Sequence, residues 1–476
     1  MKFYSPKYKQ LDLGLFRSSL DGLDKSNRWV ALGDLLPWDE LEKEYNSRLK
    51  NQKKGAGNKP ARMILGALII KHKLCLSDDE TIEMIRENPY MQYFCGLEEF
   101  TDKPICDGSL LTYVRKRISE EELNKMTVHL LCKQKQLQEE KRKREEQEAK
   151  DNNDEPPTPE PEDPNAAAFV DSKGREHKGV LKADATCADA EMRYPVDVDI
   201  IHDGCRKVTD YVRKVCEAFG LPKLRTNYKI ARKAYLRLIK QSKKKGKAVR
   251  NTIALMLNYL HKDIRILLDL LAKDKMYYEC LFPYEKRTLT AIFKMYHQQE
   301  EMFRTKTHTC ADRILSIFQP HVRAIVRGKA KAKTEFGAKI GASIVEGYTF
   351  IDHHSWNAYN ESQDLSLQIQ LFKERFGYLP ATILVDKIYL NKANRDILKE
   401  LEIQSYCKPL GRPPKEPPSE EMKSKMAKAV GERNEIECSF GTGKRIYRAN
   451  DIRAKLPETA RCWTGMCYFV KNVMKF

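Results

Sequence analysis

The sequence predicts an α/β protein, in which an all-α N-terminal domain precedes a mixed sheet that carries helices on its faces. Three observations lead to this prediction. Residues 1–135 place apolar side chains at helical spacing. Residues 136–170 are a charged helix followed by a Pro- and acid-rich linker. Residues 171–476 alternate strand-like and helical runs around a largely helical insert at about 203–330.

The N-terminal domain shows clear helix signals. Ala61–Lys73 has apolar residues at helical spacing, and Ser77 with Glu80 matches a capping box that starts a helix over Asp78–Glu87. The basic run Asp107–Ile118 contains Arg115 and Arg117. A short helix, a turn and a basic helix are typical of a helix-turn-helix DNA reader, but an ordinary helical bundle with a basic surface explains the pattern equally well.

The sheet domain is predicted from apolar runs that end in polar residues. The predicted strands are Gly179–Thr186, Thr334–Ile344, Tyr348–His353, Ala381–Asp386 and Ile403–Lys408, and the predicted helices are Leu365–Phe376, Asn391–Leu401 and Ser424–Lys444. Without the insert, this order gives strand–helix–strand units around a mixed sheet.

The composition limits the class of protein. The 476 residues include 86 Lys and Arg against 67 Asp and Glu, a formal net charge of +19. Such a surplus favours salt-sensitive association with polyanions. The longest apolar run, Met63–Ile70, is too short to cross a membrane. The first residues lack the apolar region of a secretory signal, so we expect a cytoplasmic protein without a membrane partner.

The cysteines predict neither disulfides nor structural zinc. The 13 cysteines are scattered from Cys75 to Cys467, and no CxxC occurs. This spacing fits reduced, mostly buried thiols.

Three carboxylates are candidates for phosphoryl-transfer chemistry. Asp184 and Asp386 lie at or near the ends of predicted strands, and Glu437 lies in the last predicted basic helix. Two Mg²⁺ ions about 3.5–4 Å apart clamp the attacking and leaving oxygens in such reactions, and carboxylates are suitable ligands. In a chain with 67 acidic residues, however, an isolated Asp is more often a cap or a surface group.

The segment around Glu437 is more specific. Arg433, Glu437 and Lys444 fall within about 40° of one another on a helix, which would place two cations beside a metal ligand. Gly441 and Gly443 weaken the prediction of a continuous helix. The alternative is a solvated face with an Arg433–Glu437 ion pair.

Several separated motifs resemble the DDE transposases of bacterial insertion sequences, of the InsH-like (insertion-sequence-five) group. They are Asp184-Ala185-Thr186, Arg193-Tyr194-Pro195, Val385-Asp386-Lys387-Ile388-Tyr389, and the Arg433, Glu437 and Lys444 spacing. The segments Phe336–Lys339, Ser355–Tyr359 and Asn88–Phe94 are also similar to sequence segments of this family. Val430 replaces the Tyr of the family pattern, and Ile388 replaces its usual Gly.

The resemblance implies an RNase H-like catalytic core and a DNA transfer reaction. Asp184, Asp386 and Glu437 would bind two Mg²⁺ ions, for which Mn²⁺ is a substitute, while Arg433 and Lys444 would contact the DNA of the transposon ends. A dimer acting at the bacterial nucleoid would hold two ends together, and the insert would add DNA or dimer contacts. There are two alternatives. One is a non-catalytic DNA-binding protein derived from such an element, and the other is a nonspecific nuclease of the same fold.

Smaller signals remain open. Gly411-Arg412-Pro413 resembles the core of an AT-hook, which would make Arg412 a DNA contact, although a Pro-rich loop is a simpler explanation. His353 and His354 point to opposite faces of a strand, which favours structural or DNA contacts over one metal site. Asp189 and Glu191 compete with Asp184 as first ligand, but alternation places Asp189 on the opposite face. We expect Glu361 to be a further polar group near the site.

Overall fold

The computed structural model describes residues 19–20, 22–49, 57–152, 168–326, 334–407 and 419–476. Its N-terminal part is helical. The helices are α1 (Arg28–Leu35), α2 (Trp38–Asn46), α3 (Ala61–Leu74), α4 (Asp78–Glu87), α5 (Pro89–Phe94), α6 (Ser109–Arg115) and α7 (Glu120–Asn152). No helix of the described residues has the length and apolar character that crossing a membrane requires.

The capping box predicted before α4 is confirmed. The Ser77 hydroxyl accepts a hydrogen bond from the Glu80 backbone N–H at 3.1 Å, and the Glu80 carboxylate accepts one from the Ser77 N–H at 2.8 Å. These bonds satisfy two N–H groups that the first helical turn leaves without partners. The helix therefore begins at the predicted residue.

The sheet is mixed, as predicted. A small hairpin of β1 (Phe169–Val170) and β2 (Glu176–His177) precedes it, and its strands are β3 (Val180–Asp189), β4 (Arg323–Val326), β5 (Thr334–Val345), β6 (Tyr348–Ser355) and β7 (Thr382–Val385). The central strand β3 pairs antiparallel with β5 and parallel with β7. On the other edge of β5, β4 pairs with its first residues and β6 with the rest.

The strand predicted over Ile403–Lys408 is wrong for the part that the structure describes. The chain meets β7 there through one isolated bridge, between Gln404 and Thr382. Glu402 has a left-handed φ of 54°, which turns the chain onto β7 at this position. A single bridging residue follows instead of a ladder.

The helical insert has a hydrophobic core of its own. It consists of α8 (Asp197–Ala218), α9 (Tyr228–Ile239), α10 (Gly246–Leu271), α11 (Lys275–Glu279) and α12 (Pro283–Thr305). It begins at Asp197, shortly after β3, and not at about 203. Its buried side chains form a cluster separate from that of the sheet.

The remaining helices connect the sheet to the N-terminal helices. They are α13 (Leu365–Phe376), α14 (Lys392–Glu400), α15 (Glu420–Arg445) and α16 (Pro457–Lys475). The buried helix α16 contacts α3, α7 and β6. Side chains of the N-terminal helices and of the sheet therefore belong to one continuous hydrophobic cluster.

Candidate active site

Asp184 and Asp386 lie at adjacent positions of two parallel strands. Ala183 of β3 is in register with Val385 of β7, and each aspartate is the next residue of its chain. β7 ends at Val385, and the Asp386 carboxylate then accepts a hydrogen bond from the Lys387 N–H at 2.8 Å as it caps a 3-10 turn. The register of the two strands thus places the two carboxylates side by side, close enough for the Asp386 charge to act on Asp184.

The environment of Asp184 disfavours its negative charge. Burial raises the pKa of Asp184 to about 6, and the Glu361 and Asp386 carboxylates add to the rise. The hydrogen bond from the Ala185 N–H at 2.8 Å and the charge of Arg433 act in the opposite direction. A cation bound here would relieve the repulsion that these acids exert on Asp184.

Glu361 is part of this acidic group, which confirms that it lies near the site. It begins a 3-10 turn, Glu361–Asp364, and its carboxylate contacts the Lys339 ammonium at 2.7 Å. Lys339 also donates a hydrogen bond to the Tyr359 carbonyl at 2.9 Å. Both partners of the ion pair are largely buried, so Lys339 holds Glu361 in place beside Asp184.

Tyr389 lies beside this acidic group, although the sequence indicated it only as part of a motif. Its side chain is fully buried, and its hydroxyl has no hydrogen-bond partner among the described residues. Burial raises the pKa of Tyr389, and the charges of Asp184, Glu361 and Asp364 raise it further. A neutral hydroxyl thus lies among these carboxylates. The signal in the sequence that could have indicated Tyr389 was its position three residues after Asp386.

The helix that carries Glu437 packs on the same two strands. α15 contacts β3 and β7, and its Glu435 forms an ion pair with Lys182 at 2.6 Å. Glu437 itself is 58% exposed and bonds to Arg433 at 3.2 Å. The Arg433–Glu437 ion pair, which the sequence analysis gave as the alternative to a metal ligand, is therefore present. Within the described ranges, the three predicted carboxylates do not converge to within 4.8 Å of one another.

Arg433 connects the two parts of the site. It bonds to Glu437, and its charge also lowers the pKa of Asp184, so its guanidinium faces both carboxylates. Its side chain is 20% exposed.

The glycines of α15 do not interrupt the helix. A Cβ on Gly443 would lie 2.7 Å from the Tyr468 ring of α16, whereas one on Gly441 would meet no atom within 4 Å. Gly443 is therefore needed for close packing of α15 against α16. The helix continues to Lys444, whose ammonium is 4.0 Å from the Glu335 carboxylate.

Two separate parts of the chain match models of known protein families. A family model described as Transposase domain (DUF772) matches residues 18–117, and one described as Transposase DDE domain matches residues 383–473. Two separate parts of the chain are thus similar to transposase domains. The second match includes Asp386 and Glu437, while Asp184 lies outside both.

One curated relative of the chain is a bacterial protein. An uncharacterized protein, ORF8 in the nfe locus of Rhizobium meliloti, is 33% identical over 113 residues, which cover 24% of this chain. The chain spans 54% of the length of that relative. No solved structure matches the chain.

A second polar cluster lies at the end of β3. Ligand atoms of Cys187, Asp189 and Glu335 lie within 4.8 Å of one another, the one such group of three among the described residues. Asp189 thus groups with Cys187 and not with Asp184, as strand alternation predicts. Burial raises the pKa of the Cys187 thiol, which lies 3.5 Å from the Asp189 carboxylate. A protonated thiol is a hydrogen-bond donor here and not a ready metal ligand.

Arg115 is a correction to the predicted DNA contacts. Its side chain is 6% exposed, and its guanidinium bonds to both oxygens of Asp78, at 2.6 and 2.8 Å. It also lies over the Trp463 ring at 5.5 Å. An arginine held in this way stabilises the packing of α4, α6 and α16 and is not accessible to a DNA phosphate.

The other predicted DNA contacts have mixed positions. Arg117 is half-buried and lines a cleft with Lys116, Arg375 and Arg461, where the N-terminal helices meet the sheet. Arg412 lies outside the described residues.

The two adjacent histidines have separate structural partners, as expected. His353 bonds to Asp364 at 2.7 Å, and His354 bonds to Glu120 of α7 at 2.5 Å. Their rings do not share one ligand position.

Proposed function

We propose that this protein is a DNA transposase that cleaves DNA phosphodiesters at the ends of a mobile element and transfers the 3′-hydroxyl ends to target DNA. The observation that carries the proposal is the side-by-side placement of Asp184 and Asp386 at the end of β7. The two matches to transposase families support the class of reaction.

The residues of the site fit divalent metal ions. Asp184, Asp386 and Glu437 offer the hard carboxylate oxygens that Mg²⁺ prefers, and Mn²⁺ accepts the same donors. The acidic surroundings of Asp184 favour a bound cation. When bound, two such ions would supply charge stabilisation for the attacking and leaving oxygens of the phosphodiester.

Glu437 can join the two aspartates at low energetic cost. Its bond to Arg433 is an exposed i,i+4 ion pair. Pairs of this kind contribute about 0.3–0.5 kcal/mol, far less than a charged ligand gains from a metal ion. To share a metal ion with the aspartates, Glu437 would have to leave Arg433.

The cations around the site would hold the DNA. Arg433, released from Glu437, would bind a backbone phosphate next to the scissile bond, and Lys444 would bind one further along the same helix. Both donate hydrogen bonds that orient the phosphodiester, and neither needs to exchange a proton. A dimer would hold two DNA ends together for one reaction.

The test is a cleavage and strand-transfer assay with Mg²⁺ on DNA that carries the element's ends. Asp184→Asn, Asp386→Asn and Glu437→Gln should each reduce cleavage by more than ~10³-fold, about 4 kcal/mol of barrier. The exposed Asp396→Asn and the neighbouring Glu435→Gln are matched controls and should retain cleavage. Binding of Mn²⁺, followed by paramagnetic resonance, should weaken in the three variants and not in Asp396→Asn.

The opposite result would favour a DNA-binding protein without chemistry. If the wild-type protein binds end-bearing DNA and cleaves none of it, the proposed catalysis is wrong. If it cleaves and the three substitutions leave cleavage unchanged, the proposed ligand set is wrong. Equal cleavage of DNA that lacks the terminal repeats would instead indicate a nonspecific nuclease.

A further inference from the structure

The insert contains a long segment without acidic residues. No Asp or Glu occurs between Glu217 and Asp263. In the same interval, cations occupy positions Lys223, Arg225, Lys229, Arg232, Lys233, Arg237, Lys240, Lys243, Lys244, Lys245, Lys247, Arg250 and Lys262. Those from Lys223 to Arg250 are all exposed. None of them forms an ion pair with a carboxylate in the described part of the chain.

The cations of α9 lie along one side of the helix. Lys229, Arg232, Lys233, Arg237 and Lys240 follow one another at spacings of three, one, four and three residues. At ~100° per residue they fall within about 140° of one another. The buried residues of the helix, Ala231 and Leu238, point in the opposite direction. We name these five cations the α9 stripe; it is ~16 Å long at 1.5 Å per residue.

The α9 stripe is held rigidly. Tyr235 stacks on His202 of α8, with ring centroids 4.1 Å apart, and its hydroxyl donates to the Asp199 carboxylate at 2.9 Å. Before the helix, Asn227 donates to the fully buried Asp263 of α10 through its backbone and its side chain, each at 2.8 Å. A ligand bound by the stripe would therefore not need to order the helix first.

The insert is also fixed to the catalytic strand. The Gln319 side chain donates to the Glu191 carbonyl just beyond β3, and Arg193 of the same segment contacts Asp199 and Asp203 of α8. The Arg313 guanidinium and the Gln299 amide both bond to Asp197, the first residue of α8. The α9 stripe thus has a defined position relative to Asp184.

We propose that the α9 stripe is a sequence-independent binding surface for the phosphate backbone of duplex DNA. Duplex DNA carries about one negative charge per 1.7 Å of its axis, so a stripe of ~16 Å faces several phosphates. These cations form no ion pairs with carboxylates in the described structure. DNA can therefore bind them and release its counterions without breaking an ion pair within the protein. Two copies of the stripe repel each other, which disfavours it as a dimer contact. The biological role rests on the proposed transposase function, whereas the binding itself does not.

The test measures the affinity of the full-length protein for random-sequence duplex DNA at several salt concentrations. The triple variant Arg232→Gln, Lys233→Gln, Arg237→Gln should lower the slope of log K against log salt by about 2–3, at ~0.9 per lost contact. Its affinity at low salt should fall by at least ~10-fold. The matched control changes Lys141, Arg142 and Lys143 of α7, which are paired with glutamates, to Gln and should retain slope and affinity.

Each other result overturns the proposal. An equal loss in both triple variants would show that net charge alone matters, and no loss in the α9 variant would show that the stripe is not used. A changed oligomeric state with unchanged DNA affinity would make the stripe a protein contact. Asp184→Asn should retain the full salt dependence, so a failure of the proposed catalysis is distinguishable from a failure of this surface. Circular dichroism verifies that each variant is folded.

Discussion

Charged residues have different roles in the shared core of the N-terminal helices and the sheet, and on the surfaces of α9 and α15. In the core, Arg115 is buried and bonded to Asp78, and Asp184 is largely removed from water. On the surfaces, Arg237 has no carboxylate partner in the described structure and Glu437 has only an exposed neighbour. The same residue types thus stabilise the fold in one region and remain available for a ligand in the other.

The largest effect on stability is expected at Arg115. Its change to Gln leaves Asp78 without its bidentate partner, beside the 2% exposed Lys71. Burial would raise the pKa of Asp78, but Arg115 and Lys71 outweigh it and lower the pKa to about 2. Loss of one partner of such a pair should cost about 3–5 kcal/mol in the free energy of unfolding, measured in urea.

The control for Arg115 is its exposed neighbour Lys116. Lys116→Gln should change the free energy of unfolding by less than ~0.5 kcal/mol. Because the pKa of Asp78 is lowered in the folded state, the contribution of the pair should be present above pH ~4 and lost as the pH falls toward 2. A variant that stays stable and instead loses DNA affinity would restore Arg115 as a DNA contact.

Substitution of Asp184 is expected to raise the free energy of unfolding, whereas substitution of Arg115 lowers it. Its folded pKa of about 6 lies above the ordinary value of 3.8, so the ionised carboxylate opposes folding. This penalty is absent below pH ~4, accumulates between pH ~4 and ~6, and is fully present above pH ~6. In metal-free protein, Asp184→Asn should raise the free energy of unfolding by about 2–3 kcal/mol at pH 8. The gain should disappear at pH 4.

Glu437→Gln is the surface counterpart of that experiment. Its side chain is exposed, so the variant should differ from the wild type by less than ~0.5 kcal/mol at either pH. Equal stabilisation by both substitutions would mean that Glu437 is as desolvated as Asp184, and the difference between the regions would then be lost.

A smaller effect than at Arg115 or Asp184 is expected from the two glycines of α15. Gly443→Ala brings a Cβ to 2.7 Å from the Tyr468 ring and should cost about 1–2 kcal/mol. Gly441→Ala meets open space and should stabilise the helix by up to ~1 kcal/mol. Thermal unfolding of both variants measures the difference. A stabilising Gly443→Ala would show that α15 does not pack closely on α16.

Local signals in the sequence predicted much of the fold. The start of α4 follows from Ser77 and Glu80, and the bounds of α13 follow from apolar spacing and from Gly377, which ends the helix with a φ of 84°. The strands that carry Asp184 or lead to Asp386 follow from their apolar runs. These features depend on neighbouring residues, which a single sequence contains.

Features that depend on distant residues were not predictable. The burial of Arg115 depends on Asp78 and on Trp463 of α16. The raised pKa of Asp184 depends first on its burial, which results from the packing of the whole fold, and then on the charge of Glu361. The need for Gly443 depends on Tyr468 of another helix. Neither helical spacing nor composition contains these contacts.

The packing of α16 against α3 has a consequence for the order in which the protein folds. Cys467 lies 3.8 Å from His72, and Trp463 packs edge-on against the same ring, so residues nearly four hundred positions apart close one core. A growing chain cannot bury the inner face of α3 until Pro457–Lys475 has been synthesised. Contacts of such sequence separation form late and slowly. The strands with Asp184 and Asp386 share this core. The candidate active site therefore reaches its final stability only after α16 has left the ribosome.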